Sequence, residues 1–235
     1  MIYEFILYPS FIIAILISLY AQIKVSSTFK KYSRVLTARG KTAADVAQMI
    51  LSSNGLYNVD IERVRGNLTD HYDPRSNVLR LSDPVYASTS AASVGVAAHE
   101  AGHAVQHATG YLPVVIRTKL VPITNFASRT SWLVILLGLF ISLFAMGSDI
   151  GYIIIMCGIG LFSVTALFQL VTLPCEFNAS KRALVALEKS GWYSREELAA
   201  SRKVLSAAAM TYVASLFVTV IQLLRLLAIY GRRRK

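Results

Sequence analysis

The residues best placed to do chemistry are His99-Glu100-Ala101-Gly102-His103, two imidazoles four positions apart with a carboxylate beside the first. On a helix, positions i and i+4 share a face about 6 Å apart. Two imidazoles there can converge on one Zn²⁺ at about 2.1 Å each. Glu100 points near the same face. It can polarise a water on the metal and carry its proton to a leaving amine. One helical turn thus offers two ligands and a general base, which suits hydrolysis at a polarised carbonyl. With four His and seven Glu in 235 residues, chance supplies this pattern in roughly 0.002 chains of this make-up. The plain alternative is a helix with two solvated or core-satisfied histidines.

Tetrahedral zinc needs a third protein ligand and leaves its fourth place to water. The HExxHxxGxxH pattern would need Gly at 106 and His at 109. The chain has Gln106 and Thr109, so that route is closed. His107 continues the ladder, but it lies about 12 Å along the helix axis from His99. It suits a helix end, or a hydrogen bond to a ligand, better than the same ion. The remaining route is a carboxylate on a later helix. Glu176 is the outstanding candidate, in Leu173-Pro174-Cys175-Glu176-Phe177-Asn178-Ala179-Ser180. Pro174 suits a helix start or a kink. The plain reading of Glu176 is an acid in a first helical turn, favoured by the dipole. His71, Tyr72 and Asp73 form a further polar cluster. One of them can orient substrate or stabilise an oxyanion; equally, Asp73-Pro74 can simply start a turn.

These residues must be held by a chain that is 54% hydrophobic and only 16% charged, against roughly 25% charged in soluble domains. The apolar residues come in long blocks. Disorder, a collagen repeat and a disulfide scaffold are excluded. Cys157 and Cys175 read as reduced thiols. The net charge is +11. The cations lie beside the apolar blocks, and no aromatic-basic stretch resembles a base-reading surface. They indicate a lipid bilayer and no nucleic acid.

The pattern divides the chain into five segments. Residues 1–23 hold a charge-free block, Phe5 to Ile23, long enough to span a bilayer as a retained anchor. Lys24, Lys30, Lys31 and Arg34 follow it, which puts that end in the cytoplasm. Residues 24–131 are a mixed polar stretch. It should contain an amphipathic helix from Thr42 stopped by Asn54-Gly55, a strand at 59–64, turns over 66–77 and a strand at 77–82. A helix should then run from Ser82-Asp83-Pro84 to about His107 or Ala108. Gly102 within it lowers helix propensity by about 1 kcal/mol, which suggests close approach of a backbone or substrate. The strand before this helix offers an edge for an extended peptide. Residues 132–173 form a helical hairpin turning at Gly147-Ser148-Asp149. Residues 174–211 form a helical segment. Residues 212–235 hold a fourth apolar block and the tail Arg232-Arg233-Arg234-Lys235. Four full spans would put that tail outside, against the positive-inside rule. The fourth block is therefore re-entrant, tilted or interfacial, or else it breaks the rule. Arg225 inside it can pair with a buried carboxylate or snorkel to the headgroups.

The sequence resembles the YugP-like neutral zinc metallopeptidases of bacterial membranes, within the gluzincin class that includes HtpX-type membrane proteases. The likeness runs through LTDHYDPR at 68–75, VLRLS at 78–82, AAHEAGHAVQHA at 97–108, LPCEFNASKRAL at 173–184 and the terminal QLLRLLAIYGRRR. It implies one zinc per chain on His99, His103 and Glu176, with Glu100 catalytic, and peptide-bond hydrolysis in membrane or misfolded proteins. HtpX-type proteins have Asp four residues after the ligand Glu, where it orients a zinc histidine. Here that position is Ser180, and Ser180 or Asn178 would have to accept the hydrogen bond instead. The expected fold is a mainly α integral membrane protein. It carries an α+β zincin-like catalytic unit with a short sheet, on the cytoplasmic side of a multi-pass bacterial cell-membrane protein. The expected partners are a peptide or protein substrate and the bilayer. The rival reading is a non-catalytic membrane scaffold or adaptor with a structural or vestigial zinc site, against which an intact Glu100 argues.

Overall fold

The computed structural model describes residues 2–144 and 149–231, with side chains from residue 9 onward. The elements run α1 (Ile2–Tyr32), α2 (Ala43–Ser53), β1 (Asp60–Val64), β2 (His71–Asp73), β3 (Val78–Ser82), α3 (Asp83–Tyr86), α4 (Ala91–Ala108), α5 (Leu112–Phe144), α6 (Ile150–Lys189) and α7 (Arg195–Tyr230). Four of the described helices, α1, α5, α6 and α7, are long and apolar enough to cross a membrane. The chain forms two compact units. One comprises residues 1–20, 116–172 and 212–235; the other comprises 21–115 and 173–211.

The first unit is built of apolar helix segments. Ile135 of α5, Ile155 and Ile159 of α6 and Leu226 of α7 form its buried cluster. The α5 and α6 backbones meet directly: a Cβ on Gly151 would lie 2.7 Å from Ser142 N, and one on Gly138 2.7 Å from Ile155 N. Small residues of this kind let helices pack where no hydrophobic drive operates between them. The expected turn at Gly147-Ser148 and the basic tail at 232–235 lie outside the described residues. The fourth block is as long and apolar as a span requires.

The second unit packs around α4. Val94, Ala97, Ala98 and Ala101 join Val46, Ile50 and Leu51 of α2, Leu79 and Leu81 of β3, Val85 of α3, Ala183 and Leu187 of α6, and Leu205 of α7. A helix buried nearly all round belongs at the centre of its unit. Its small residues allow that. The α2 start is a capping box, Thr42 with Asp45, as its Thr-x-x-Asp spacing favours. The sheet order is β1-β3-β2, with β1 parallel and β2 antiparallel to β3.

Three expectations need correction. The turn-rich run 66–77 contains a strand, β2, three residues long. The strand before the HExxH helix, β3, is paired on both sides and offers no edge; the edges belong to β1 and β2. Finally, the helix from Pro84 breaks into α3 and α4. Between them the chain is drawn extended: Thr37 N–H donates to Thr89 O and Ala91 N–H to Val35 O. Long-range pairing overrides a locally good helix start there. Helices α5, α6 and α7 run unbroken through positions 131, 173 and 211, with Pro174 in the interior of α6, while the limits of the two units fall at 172/173 and 211/212 within α6 and α7.

Candidate metal centre

Helix α4 sets His99 and His103 one turn apart, ring centroids 4.7 Å from each other in an edge-on arrangement. Helix α6 brings Glu176 against both. Its Oε2 lies 3.2 Å from His99 Nε2 and 3.4 Å from His103 Nε2. One donor atom from each of the three residues lies within 4.8 Å of the others. Two donors each about 2.1 Å from a zinc ion at a tetrahedral angle are themselves about 3.4 Å apart. The nitrogen-nitrogen-oxygen donor set suits zinc, and the two oxygen–nitrogen distances match that spacing. Glu176 is 1% exposed, and a buried carboxylate requires partners of opposite charge or a metal. Burial raises its carboxyl, but the His103 and His99 imidazoles outweigh that and hold it well below the ordinary range.

The helices approach this closely because of Gly102. A Cβ there would sit 2.7 Å from the carbonyl oxygen of Ala179 on α6. Of the two readings of this glycine, the neighbour is a backbone.

The far nitrogens of both imidazoles are also engaged. Ser180 Oγ lies 3.1 Å from His99 Nδ1. Gln106 Oε1 lies 3.0 Å from His103 Nδ1. Asn178 takes no part at His99; its Oδ1 accepts from Gln106 Nε2 and Arg182 Nε. Glu100 is half-buried on α4, and its Oε2 accepts from the backbone N–H of Tyr72 at 3.1 Å. Tyr72 is the middle residue of β2. Burial, and then the adjacent Asp73 carboxylate, push its phenol above the ordinary value. The phenol donates to Asn77 Oδ1.

The remaining candidates lie outside the triad of donors. His71 is exposed on β2, its Nδ1 2.8 Å from Thr69 O. His107 sits near the end of α4 with its ring 5.6 Å from that of Tyr72. Arg225 lies over the Phe11 ring at 5.2 Å. Two contacts went unforeseen. Gln106 counted only as a mismatch to another zinc pattern, although i to i+3 from His103 is helix-neighbour spacing. The Tyr72 N–H contact is a backbone contact, to which sequence gives no signal.

A family model described as "Putative neutral zinc metallopeptidase" matches residues 7–231. The chain belongs to that family. This neutral zinc metallopeptidase relative is also 47% identical over 220 residues to "Putative membrane protease YugP" of Bacillus subtilis (strain 168), covering 93% of this chain and 94% of that protein. No solved structure matches the chain significantly. The resemblance read from the motifs thus holds across almost its whole length.

Proposed function

We propose that the chain is a membrane zinc endopeptidase of gluzincin type, with one zinc held by His99, His103 and Glu176 and Glu100 as general base. The observation that carries this is the convergence of the His99 and His103 Nε2 atoms on one Glu176 Oε2, at 3.2 and 3.4 Å, beside an acid on the same helical turn. Bound there, zinc supplies Lewis acidity that makes water nucleophilic near neutral pH and polarises a carbonyl. Glu100 takes the proton of the attacking water and delivers it to the leaving amide nitrogen. The Tyr72 N–H holds Oε2 of that carboxylate in place. Since this N–H faces Glu100, the unpaired side of β2 runs beside the base. An extended peptide can add to that side through main-chain hydrogen bonds. The apolar helices and the membrane protease relative support substrates in or at the membrane. The cations following α1 support a cytoplasmic catalytic unit.

The test is the metal content of the detergent-purified protein, wild type beside Glu176→Ala. We expect about one zinc per chain in the wild type, lost or sharply weakened in the variant. Stoichiometric zinc in both would move the third ligand elsewhere, with His71 or His107 next. No zinc in folded wild type, even after loading, would overturn the peptidase reading and leave a membrane scaffold.

A further inference from the structure

Among the described residues, Gln106 and Glu176 are the two large polar side chains with almost no exposure, 0% and 1%. One holds the metal in the reading above. The other has no role in it, although its amide is fully engaged. Gln106 Nε2 donates to Cys175 O at 2.8 Å and to Asn178 Oδ1 at 3.0 Å. Its Oε1 faces His103 Nδ1 at 3.0 Å. Arg182 Nε donates to the same Asn178 oxygen at 2.8 Å.

Each polarity in this chain of contacts is forced. A backbone carbonyl only accepts, so the Gln106 atom facing Cys175 O is the NH₂ group. A guanidinium only donates, so the Asn178 atom facing Arg182 is the oxygen. Both amides are thus oriented by groups that cannot be flipped. The Gln106 oxygen then has to face His103, and an amide oxygen only accepts. Nδ1 of His103 must bring the proton. A neutral His103 is left with its lone pair on Nε2, the atom directed at Glu176. The same glutamine grips α6 at Cys175 and Asn178, on either side of Glu176.

We propose that Gln106 is a positioning residue for the metal site. It fixes the tautomer and ring orientation of His103 and braces the stretch of α6 that carries Glu176, with Asn178 and Arg182 as its outer anchors. This rests on the metal-site reading and adds the residue that presets it. Partners that orient a ligating histidine typically change metal affinity by about 10–100-fold when removed. A second imidazole partner, Ser180, serves His99, so the two histidines are held independently. Arg182 lines a cleft of about 380 Å³ with Met49, Val105 and Lys189, so the outer end of the relay is open to solvent while its inner end is sealed.

The experiment is competition for zinc between a chromogenic chelator and the full-length protein in detergent. Gln106→Leu keeps the shape and removes every hydrogen bond; affinity should fall by about tenfold or more. Because that variant strands the Cys175 carbonyl and can fail to fold, a second pair decides independently. Asn178→Asp keeps an acceptor oxygen towards Gln106 and Arg182 and should bind zinc at least as tightly as wild type. Asn178→Leu should bind several-fold more weakly. A ¹⁵N-histidine spectrum of the zinc-loaded protein should show the His103 Nδ1–H more strongly hydrogen-bonded in wild type than in Gln106→Leu. Wild-type affinity in both leucine variants, an Asn178→Asp as weak as Asn178→Leu, or an unchanged Nδ1–H signal in a folded Gln106→Leu would overturn the relay. A folded wild type that takes up no zinc would instead sink the metal site itself.

Discussion

At the residue scale, Glu100 and Ser180 separate chemistry from metal holding. Glu100 Oε2 accepts one hydrogen bond, from Tyr72 N–H, and Glu100 lies outside the group of three donors. Glu100→Gln should therefore leave zinc content and thermal stability near wild type. Hydrolysis should drop by at least two orders of magnitude, the span general-base removal commonly costs. Any cleaved membrane protein or casein-type substrate reads this out, with metal analysis on the same sample. A variant that cleaves at the wild-type rate would refute the general base. Ser180 Oγ lies 3.1 Å from His99 Nδ1, at the position where the HtpX-type motif pattern has Asp. Ser180→Ala should weaken zinc by about tenfold in chelator competition. Ser180→Asp should bind it more tightly, since an ionised acceptor makes the stronger hydrogen bond. Unchanged affinity in Ser180→Ala would remove Ser180 from the site. The two histidines were legible because type and spacing fix their chemistry, and Glu176 because a carboxylate on a later helix was the remaining route; Ser180 entered only through the family resemblance, with Asn178 as its alternative. Gln106 was not legible, because a glutamine in a helix carries no signal until its partners on another helix are known.

At the element scale, the sequence told helices from strands better than it told where helices end. Residues 150–189 read as an apolar block, a proline and a polar segment, yet α6 is unbroken. Hydropathy marks what surrounds a helix, and helix propensity continues across the change. β2 was missed because three residues cannot establish an alternating pattern, and its ladder partner β3 supplies the reason it forms. The α4–α6 approach is the element contact on which Glu176 depends, and Gly102 sets it. In Gly102→Ala the new Cβ meets the Ala179 carbonyl oxygen at 2.7 Å, a backbone atom that cannot rotate away. Overpacking costs about 1–3 kcal/mol, and the better helix propensity of alanine returns about 1 kcal/mol. The net expectation is a modest fall in Tm with a larger fall in zinc affinity, because separating the helices parts Glu176 from the histidines. Thermal unfolding with and without zinc checks this: the difference in Tm between the two conditions should shrink in the variant. An undiminished zinc-induced rise in Tm would show that the helix separation does not set the ligand geometry.

At the scale of the whole molecule, four candidate spans leave the side of each segment to be decided by charge. With α1, α5, α6 and α7 all crossing, parity places the polar stretch after α1 and the segment between α6 and α7 on one side. The α5–α6 turn and the end after α7 then share the other. Six cations, Lys24, Lys30, Lys31, Arg34, Arg39 and Lys41, lie within twenty residues of the first apolar block. Lys181, Arg182 and Lys189 follow the third block, and Arg195, Arg202 and Lys203 precede the fourth. The other side has no cation in Gly147-Ser148-Asp149 and four in the tail at 232–235. Cations near span ends set orientation, and the larger group dominates. The polar segments with Glu100 and Glu176 are expected in the cytoplasm, with the basic tail carried across against its own preference. Compartment-specific reporters fused after Tyr57 and after Gly231 test this. A cytoplasmic signal at the first site and an external one at the second fit four spans. Cytoplasmic signals at both would mean that residues 212–230 do not cross, and the charge conflict would be resolved by the helix staying on the inner face. An external signal after Tyr57 would reverse the whole arrangement and place the metal centre outside the cell.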